Sequence, residues 1–161
     1  MGGGAGEGRA AKAQAYALVE EQIRSVLDGC PGFVAAMAST AALLKDTFES
    51  MSWVGFYLPA DDGSLVIGPY QGPLACLRLP KGRGVCQAAA SSRRTVLVPD
   101  VHAFPGHIAC DARSRSEIVV PVVSTGRLRA VLDADSHLPG AFDEDDRRGL
   151  EAVAEALARV S

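Results

Sequence analysis

The sequence predicts an α+β domain in which a central antiparallel sheet of about six strands packs between N- and C-terminal helices. Three observations carry that prediction. Apolar stripes at helical spacing lie near both ends of the chain, strand-length segments fill the middle, and most of those segments are joined by turn-sized connections. The 161 residues suit one domain. A chain of this length buries roughly 70% of its unfolded surface, so it needs no metal or disulfide staple to fold.

Residues 1–10 are Gly-rich and read as a flexible tail, leaving 11–161 as the single domain. Tyr16, Val19, Ile23 and Val26 or Leu27 then make one helical stripe, which Gly29 ends. Cys30-Pro31 starts a second helix, since proline suits the first helical position. Its buried face is Phe33, Met37, Ala41, Leu44 and Phe48.

A strand over Ser52–Leu58, a turn at Ala60-Asp61-Asp62-Gly63 and a strand from Ser64 to about Tyr70 follow. Alternation puts Val54, Phe56 and Leu58 on one face, and Trp53, Gly55 and Tyr57 on the other. Two aromatics flanking a glycine make either a core pair or an aromatic-walled notch for a ligand. A short strand over Ala75–Leu79, a helix over Val85–Ser91 and a strand over Thr95–Val98 come next. Residues 99–116 have no periodicity, yet Phe104, Pro105, Ile108, Ala109 and Cys110 make the stretch too apolar for a disordered loop.

The last strands, Glu117–Val123 and Arg127–Ser136, are joined by Ser124-Thr125-Gly126, which suits a three-residue turn. That register sets Val122, Val120 and Ile118 opposite Leu128, Ala130 and Leu132, a wholly apolar face. A two-residue turn would mix apolar and polar positions. The other face then carries Glu117 opposite Asp133, with Asp135 two residues on. Asp143 to Asp146 form an acidic start for a final helix whose stripe is Leu150, Val153, Leu157 and Val160.

A net charge of -3 argues against phosphate-backbone binding, so no nucleic acid partner is expected. No apolar run is long enough to cross a bilayer, the start does not read as a signal peptide, and Gly6 breaks the myristoylation pattern. A reducing, cytoplasmic compartment follows as the expectation, in which Cys30, Cys76, Cys86 and Cys110 rest as thiols.

Carboxylates facing one another repel, so Glu117, Asp133 and Asp135 are either solvated charges or a site awaiting a cation. Crowding raises at least one of their pKa values, which lets the group hold an ammonium or donate a proton. Cys110 has His102, His107, Arg113 and Arg115 near it in sequence, and positive neighbours favour the nucleophilic thiolate. Zinc binding through His102, His107 and Cys110 is the competing idea, but the spacing fits no finger or ribbon and no CxxC occurs, so no metal is expected. Cys86, in the first turn of its helix, should have its thiol pKa lowered by the helix dipole. Cys30, at a helix start, reads as structural. Gly82-Arg83-Gly84-Val85-Cys86-Gln87 lacks the third glycine of a dinucleotide-binding turn.

Several segments closely resemble free methionine-(R)-sulfoxide reductases, from about residue 15 to residue 160. They are Trp53-Val54-Gly55-Phe56-Tyr57, Gly68-Pro69-Tyr70-Gln71-Gly72, Gly84-Val85-Cys86, Asp100 through Asp111, Ser114 to Pro121, and Val131 to Ser136. The resemblance implies a GAF fold with a loop-covered active-site face and a thioredoxin-linked reductase. It implies Cys110 as nucleophile, with Cys76 or Cys86 resolving the intermediate and Cys76 preferred. Glu117, Asp133 and Asp135 would hold free methionine sulfoxide, with Trp53 and Tyr57 lining the pocket. No organic cofactor is implied, and a homodimer is suggested. Gln87 and Ala134 depart from the family pattern, and Cys30 has no counterpart in it. The main alternative is a GAF sensor domain that binds a small molecule without chemistry.

Overall fold

Residues 3–161 are described by the structure, a computed structural model. Helix α1 (Gly3–Leu27) and helix α2 (Phe33–Thr47) precede strands β1 (Trp53–Pro59), β2 (Leu65–Gln71) and β3 (Arg78–Leu79). Helix α3 (Val85–Ser92), strands β4 (Val96–Val98), β5 (Ser116–Ser124) and β6 (Arg127–Ser136), and helix α4 (Glu144–Ala158) complete the chain. The strands form one antiparallel sheet in the order β3-β2-β1-β6-β5-β4. That is the predicted α+β class with the predicted number of strands.

The alternating faces sort into two cores. Val54, Phe56, Ile118, Val120, Val122 and Leu132 face α1, α2 and α4, where the helical stripes of Tyr16, Val19, Ile23, Met37, Leu44, Leu150, Val153 and Leu157 meet them. Leu27 rather than Val26 completes the first stripe; Val26 is exposed. Trp53, Tyr57, Val119 and Val131 face the other way, under α3 and the long connections. Because β6 lies between β1 and β5, residues from all three strands meet at the centre of this second face.

Four expectations need correction. Helix α1 begins at Gly3, where the glycine-rich composition predicts a tail; only residues 1 and 2 of that tail lie outside the described residues. The acidic start of α4 draws α1 along it. Arg9 Nε lies 3.3 Å from Asp145, Lys12 Nζ 2.7 Å from Asp146, and the Tyr16 hydroxyl donates to Asp146 at 2.7 Å. Asp143 and Asp146 also close a reciprocal cap on α4. Helix α2 begins at Phe33, after Cys30-Pro31, because Gly32 has a φ of 151° and turns the chain there.

The β5–β6 turn has two residues, Thr125 and Gly126, with φ of 48° and 78°, the signs of a type I′ turn. Mixing of the faces is avoided by a bulge: Val123 pairs with Leu128 but Val122 with Ala130, leaving Arg129 unpaired. Val120 therefore faces Leu132 and Ile118 faces Ala134, a shift of two from the expected register that keeps Ala130 and Leu132 on their predicted face, while Leu128, beyond the bulge, packs in the other core instead. Finally, only Arg78–Leu79 of the expected strand Ala75–Leu79 pairs with β2. The residues before it are held by side chains of β1, as described below.

Candidate active site

The shifted register decides how the acids meet. Glu117 on β5 pairs with Asp135 on β6, and Asp135 pairs on its other side with Trp53. Asp133 pairs with Val119 and Gly55, so Glu117 and Asp133 are diagonal neighbours rather than the direct pair expected from sequence. All three acids line one cavity with Trp53, Tyr57 and Cys110. Cys86 enters it from the first turn of α3, its Sγ 3.4 Å from Asp133 Oδ2 and 4.0 Å from Glu117 Oε1.

Burial, first, pushes the Glu117 carboxyl well above the ordinary range, and the charges of Asp133 and Asp135 push the same way. Burial and the Asp133 charge do likewise for Asp135. Asp133 rises only to about 6, because hydrogen bonds from Glu117 and Cys86 oppose its desolvation. Burial therefore favours the protonated form of Glu117 and Asp135, beside an Asp133 that is raised only to about 6. The orphaned atom is Asp133 Oδ1, buried and without a hydrogen-bond partner among the described residues.

Cys86 contradicts its expectation. Its thiol is buried, and its pKa is raised, first by desolvation and then by Asp133, Glu117 and Asp135. Three acids from distant strands outweigh the dipole of an eight-residue helix.

Cys110 lies in a disulfide with Cys76, with Cα atoms 5.3 Å apart. Trp53 and Tyr57, the aromatics on this face of β1, hold the Cys76 segment in place. Trp53 Nε1 donates to the Pro73 carbonyl at 3.1 Å, and the Tyr57 hydroxyl donates to the Cys76 carbonyl at 2.8 Å. These bonds keep the segment out of the sheet and explain the shortened β3. The glycine notch between the aromatics is not open to a ligand. A Cβ on Gly55 would sit 2.8 Å from Tyr70 Cα and 2.9 Å from Trp53 Cη2, and the Trp53 and Tyr70 rings stack at 5.2 Å.

Two of the four cations expected around Cys110, Arg113 and His107, lie against acids. Arg113 is bonded to Asp111 at 3.0 Å and holds that carboxyl down to about 2. His107 lines the cavity with Nε2 3.9 Å from Glu117 Oε2, and burial, then His102, lowers its pKa. His102, His107 and Cys110 do not gather as metal ligands. Among the described residues, the group of potential ligand atoms within 4.8 Å of one another is Cys86, Glu117 and Asp133. Cys30 lies apart, its thiol donating to the Gly32 carbonyl at 3.5 Å. Arg83, Asp111 and Ser114 also line the cavity, with Leu79 and Ile108 among its apolar wall, and none of them was named as a site residue from the sequence.

The family model of the GAF domain matches residues 33–160. The free methionine-R-sulfoxide reductase of Escherichia coli K12 is 43% identical over 149 residues, spanning 92% of this chain and 90% of the relative. The chain belongs to the free methionine-R-sulfoxide reductase family, built on the GAF fold. The family's yeast member, from Saccharomyces cerevisiae, is 38% identical over 81% of this chain and 76% of its own length. An X-ray structure of free methionine-R-sulfoxide reductase from Neisseria meningitidis in complex with its substrate superposes with a TM-score of 0.89. It shares 50% identity and covers 92% of this chain and 89% of its own. The fold and the family expected from the sequence motifs are thus both found.

Proposed function

We propose that this chain reduces free L-methionine-(R)-S-oxide to L-methionine, with Cys110 as the attacking thiolate and Cys76 as the resolving thiol. The observation that carries the reading is the Cys76–Cys110 sulfur pair beside a cavity containing three buried carboxylates. The substrates of the relatives described above support the same reaction.

A sulfoxide sulfur becomes electrophilic when its oxygen gains a proton. Glu117 or Asp135, whose burial favours the protonated form, supplies it. Asp133, ionised above about pH 6, is the counter-charge for the substrate ammonium. The Cys110 sulfur attacks the sulfoxide sulfur, oxygen passes to Cys110, and methionine leaves. The thiol has become a sulfenic acid as the sulfoxide became a thioether. The Cys76 thiol then displaces water from it, giving the disulfide. A dithiol reductant, thioredoxin, restores both thiols by exchange, supplying two electrons and two protons. Tyr57 and Trp53 line the pocket and position Cys76 through its backbone. Cys86, buried and held protonated, is not the first resolving thiol.

A peptide-bonded methionine sulfoxide has no ammonium to offer this cluster, so its binding would leave buried acids unpaired. The reaction needs no organic cofactor. No helix among the described residues is long and apolar enough to cross a membrane, and a cytoplasmic homodimer fits the reading.

The test is single-turnover chemistry. Fully reduced protein, given free methionine-(R)-sulfoxide without reductant, yields one methionine per chain, loses two thiols and gains the Cys76–Cys110 disulfide. An unchanged thiol count overturns the reading. A sensor domain would bind its ligand without that loss.

A further inference from the structure

We infer that Cys86, Glu117 and Asp133 form a binding site for a borderline-soft divalent cation of the zinc class, which occupies the cavity in place of the substrate ammonium. The competition for that position rests on the reaction proposed above; the binding of the metal does not.

The donor set is the first support. A tetrahedral zinc ion with ordinary bond lengths to sulfur and oxygen sets those ligands roughly 3.5 Å apart. Cys86 Sγ lies 3.4 Å from Asp133 Oδ2 and 4.0 Å from Glu117 Oε1, and the three ligand atoms fall within 4.8 Å of one another. Contraction by about half an ångström on the Glu117 side completes the geometry.

The second support is the orphaned Asp133 Oδ1. Asp133 is 5% exposed, lines the cavity, and that oxygen has no partner. A buried carboxylate oxygen in that state seeks a cation. An ammonium would satisfy the carboxylates, but it gains little from a thiol. The sulfur is what favours zinc, cobalt or cadmium over magnesium or calcium, which prefer all-oxygen ligands. Binding releases the Cys86 proton together with any proton on the ligating acids, and the ion's charge offsets the burial that raises all three groups and the repulsion that adds to it at Cys86 and Glu117. No electron is transferred. The consequence is reversible inhibition by zinc that free substrate relieves.

The disulfide form suits the test, because its only free cysteines are Cys30 and Cys86. Anaerobic titration of that form with Co²⁺ in thiol-free buffer is expected to give a thiolate-to-cobalt charge-transfer band saturating at one equivalent. Cys30→Ser keeps the band, Cys86→Ser abolishes it, Zn²⁺ bleaches it and Mg²⁺ does not. Asp133→Asn retains the thiol and should weaken Co²⁺ binding by about tenfold or more. Absence of the band, its survival in Cys86→Ser, bleaching by Mg²⁺, or full affinity in Asp133→Asn each overturns the site. The readout needs no turnover, so a chain that failed to reduce methionine sulfoxide would still show the band.

Discussion

Replacing Asp133 with asparagine should stabilise the fold at neutral pH while destroying activity. The carboxyl titrates at about 6 in the folded chain against an ordinary 3.8, chiefly because it is buried. That difference of about two pH units, at about 1.4 kcal/mol each, makes the ionised side chain cost about 3 kcal/mol at neutral pH. The sign follows from proton counting. Between about pH 4 and 6 the folded state keeps a proton that the unfolded chain has released, so stability falls as pH rises through this window. Asparagine has no such proton to lose. Desolvating its amide takes back roughly 1 kcal/mol, leaving a gain of about 1–2 kcal/mol, or roughly 2–8 °C in Tm for a chain of this size. Calorimetric melts of parent and variant at about pH 4 and about pH 7.5 read the difference directly. The gain should be present at the higher pH and absent at the lower, and kcat/KM for free methionine sulfoxide should fall by about 100-fold or more. A variant less stable than its parent at about pH 7.5, or equally stabilised at both, would show that the buried charge does not strain this fold.

Two further substitutions test other links. Cys76→Ser should allow one equivalent of methionine per chain and then stop at a Cys110 sulfenic acid, detected by a sulfenic-acid trapping reagent and mass spectrometry; continued turnover with thioredoxin would exclude Cys76 as the resolving thiol. Gly149→Ala tests the seam between α1 and α4. Its new Cβ would lie 2.7 Å from Tyr16 Cε1 and closer still to other ring atoms, while Tyr16 is held by its 2.7 Å bond to Asp146. Overpacking of about 1–3 kcal/mol should outweigh a helix-propensity gain of about 1 kcal/mol, so Tm should drop by a few degrees. A rise would mean that the seam yields freely.

What the sequence made legible is what depends on periodicity. The stripes of α1, α2 and α4 and the alternating faces of β1, β5 and β6 stand on the side their spacing requires, except at Leu128, which the bulge turns to the other face. The pairing of acids was not legible, because Thr125 takes a positive φ unusual for a β-branched residue and Arg129 bulges to compensate. Neither leaves a mark that distinguishes a two-residue turn from a three-residue one. The first turn of α1 was hidden for a different reason. Arg9 and Lys12, further along the same helix, are tied to Asp145 and Asp146 more than a hundred residues away, and composition cannot report such contacts. Cys86 fails the same way: the local dipole argument is sound, but Glu117 and Asp133 arrive from β5 and β6 and reverse its sign.

That reversal separates the roles of the cysteines. A thiol enclosed by acids is a poor nucleophile at neutral pH, however well placed its helix. The loop carrying Cys110 brings it to the wall of the cavity that the acids share, and its disulfide partner Cys76 is not part of that wall. Separation of acid from thiolate is a requirement of the proposed chemistry, since a carboxylic acid and a thiolate in direct contact would simply exchange the proton. Trp53 and Tyr57 meet the matching requirement for the second thiol. By binding the carbonyls of Pro73 and Cys76 they hold that segment within bonding reach of Cys110 yet outside the acidic floor. The GAF scaffold thus supplies a buried polar cavity, and under the proposed chemistry the Cys76–Cys110 pair beside it is what would let such a cavity carry a redox cycle.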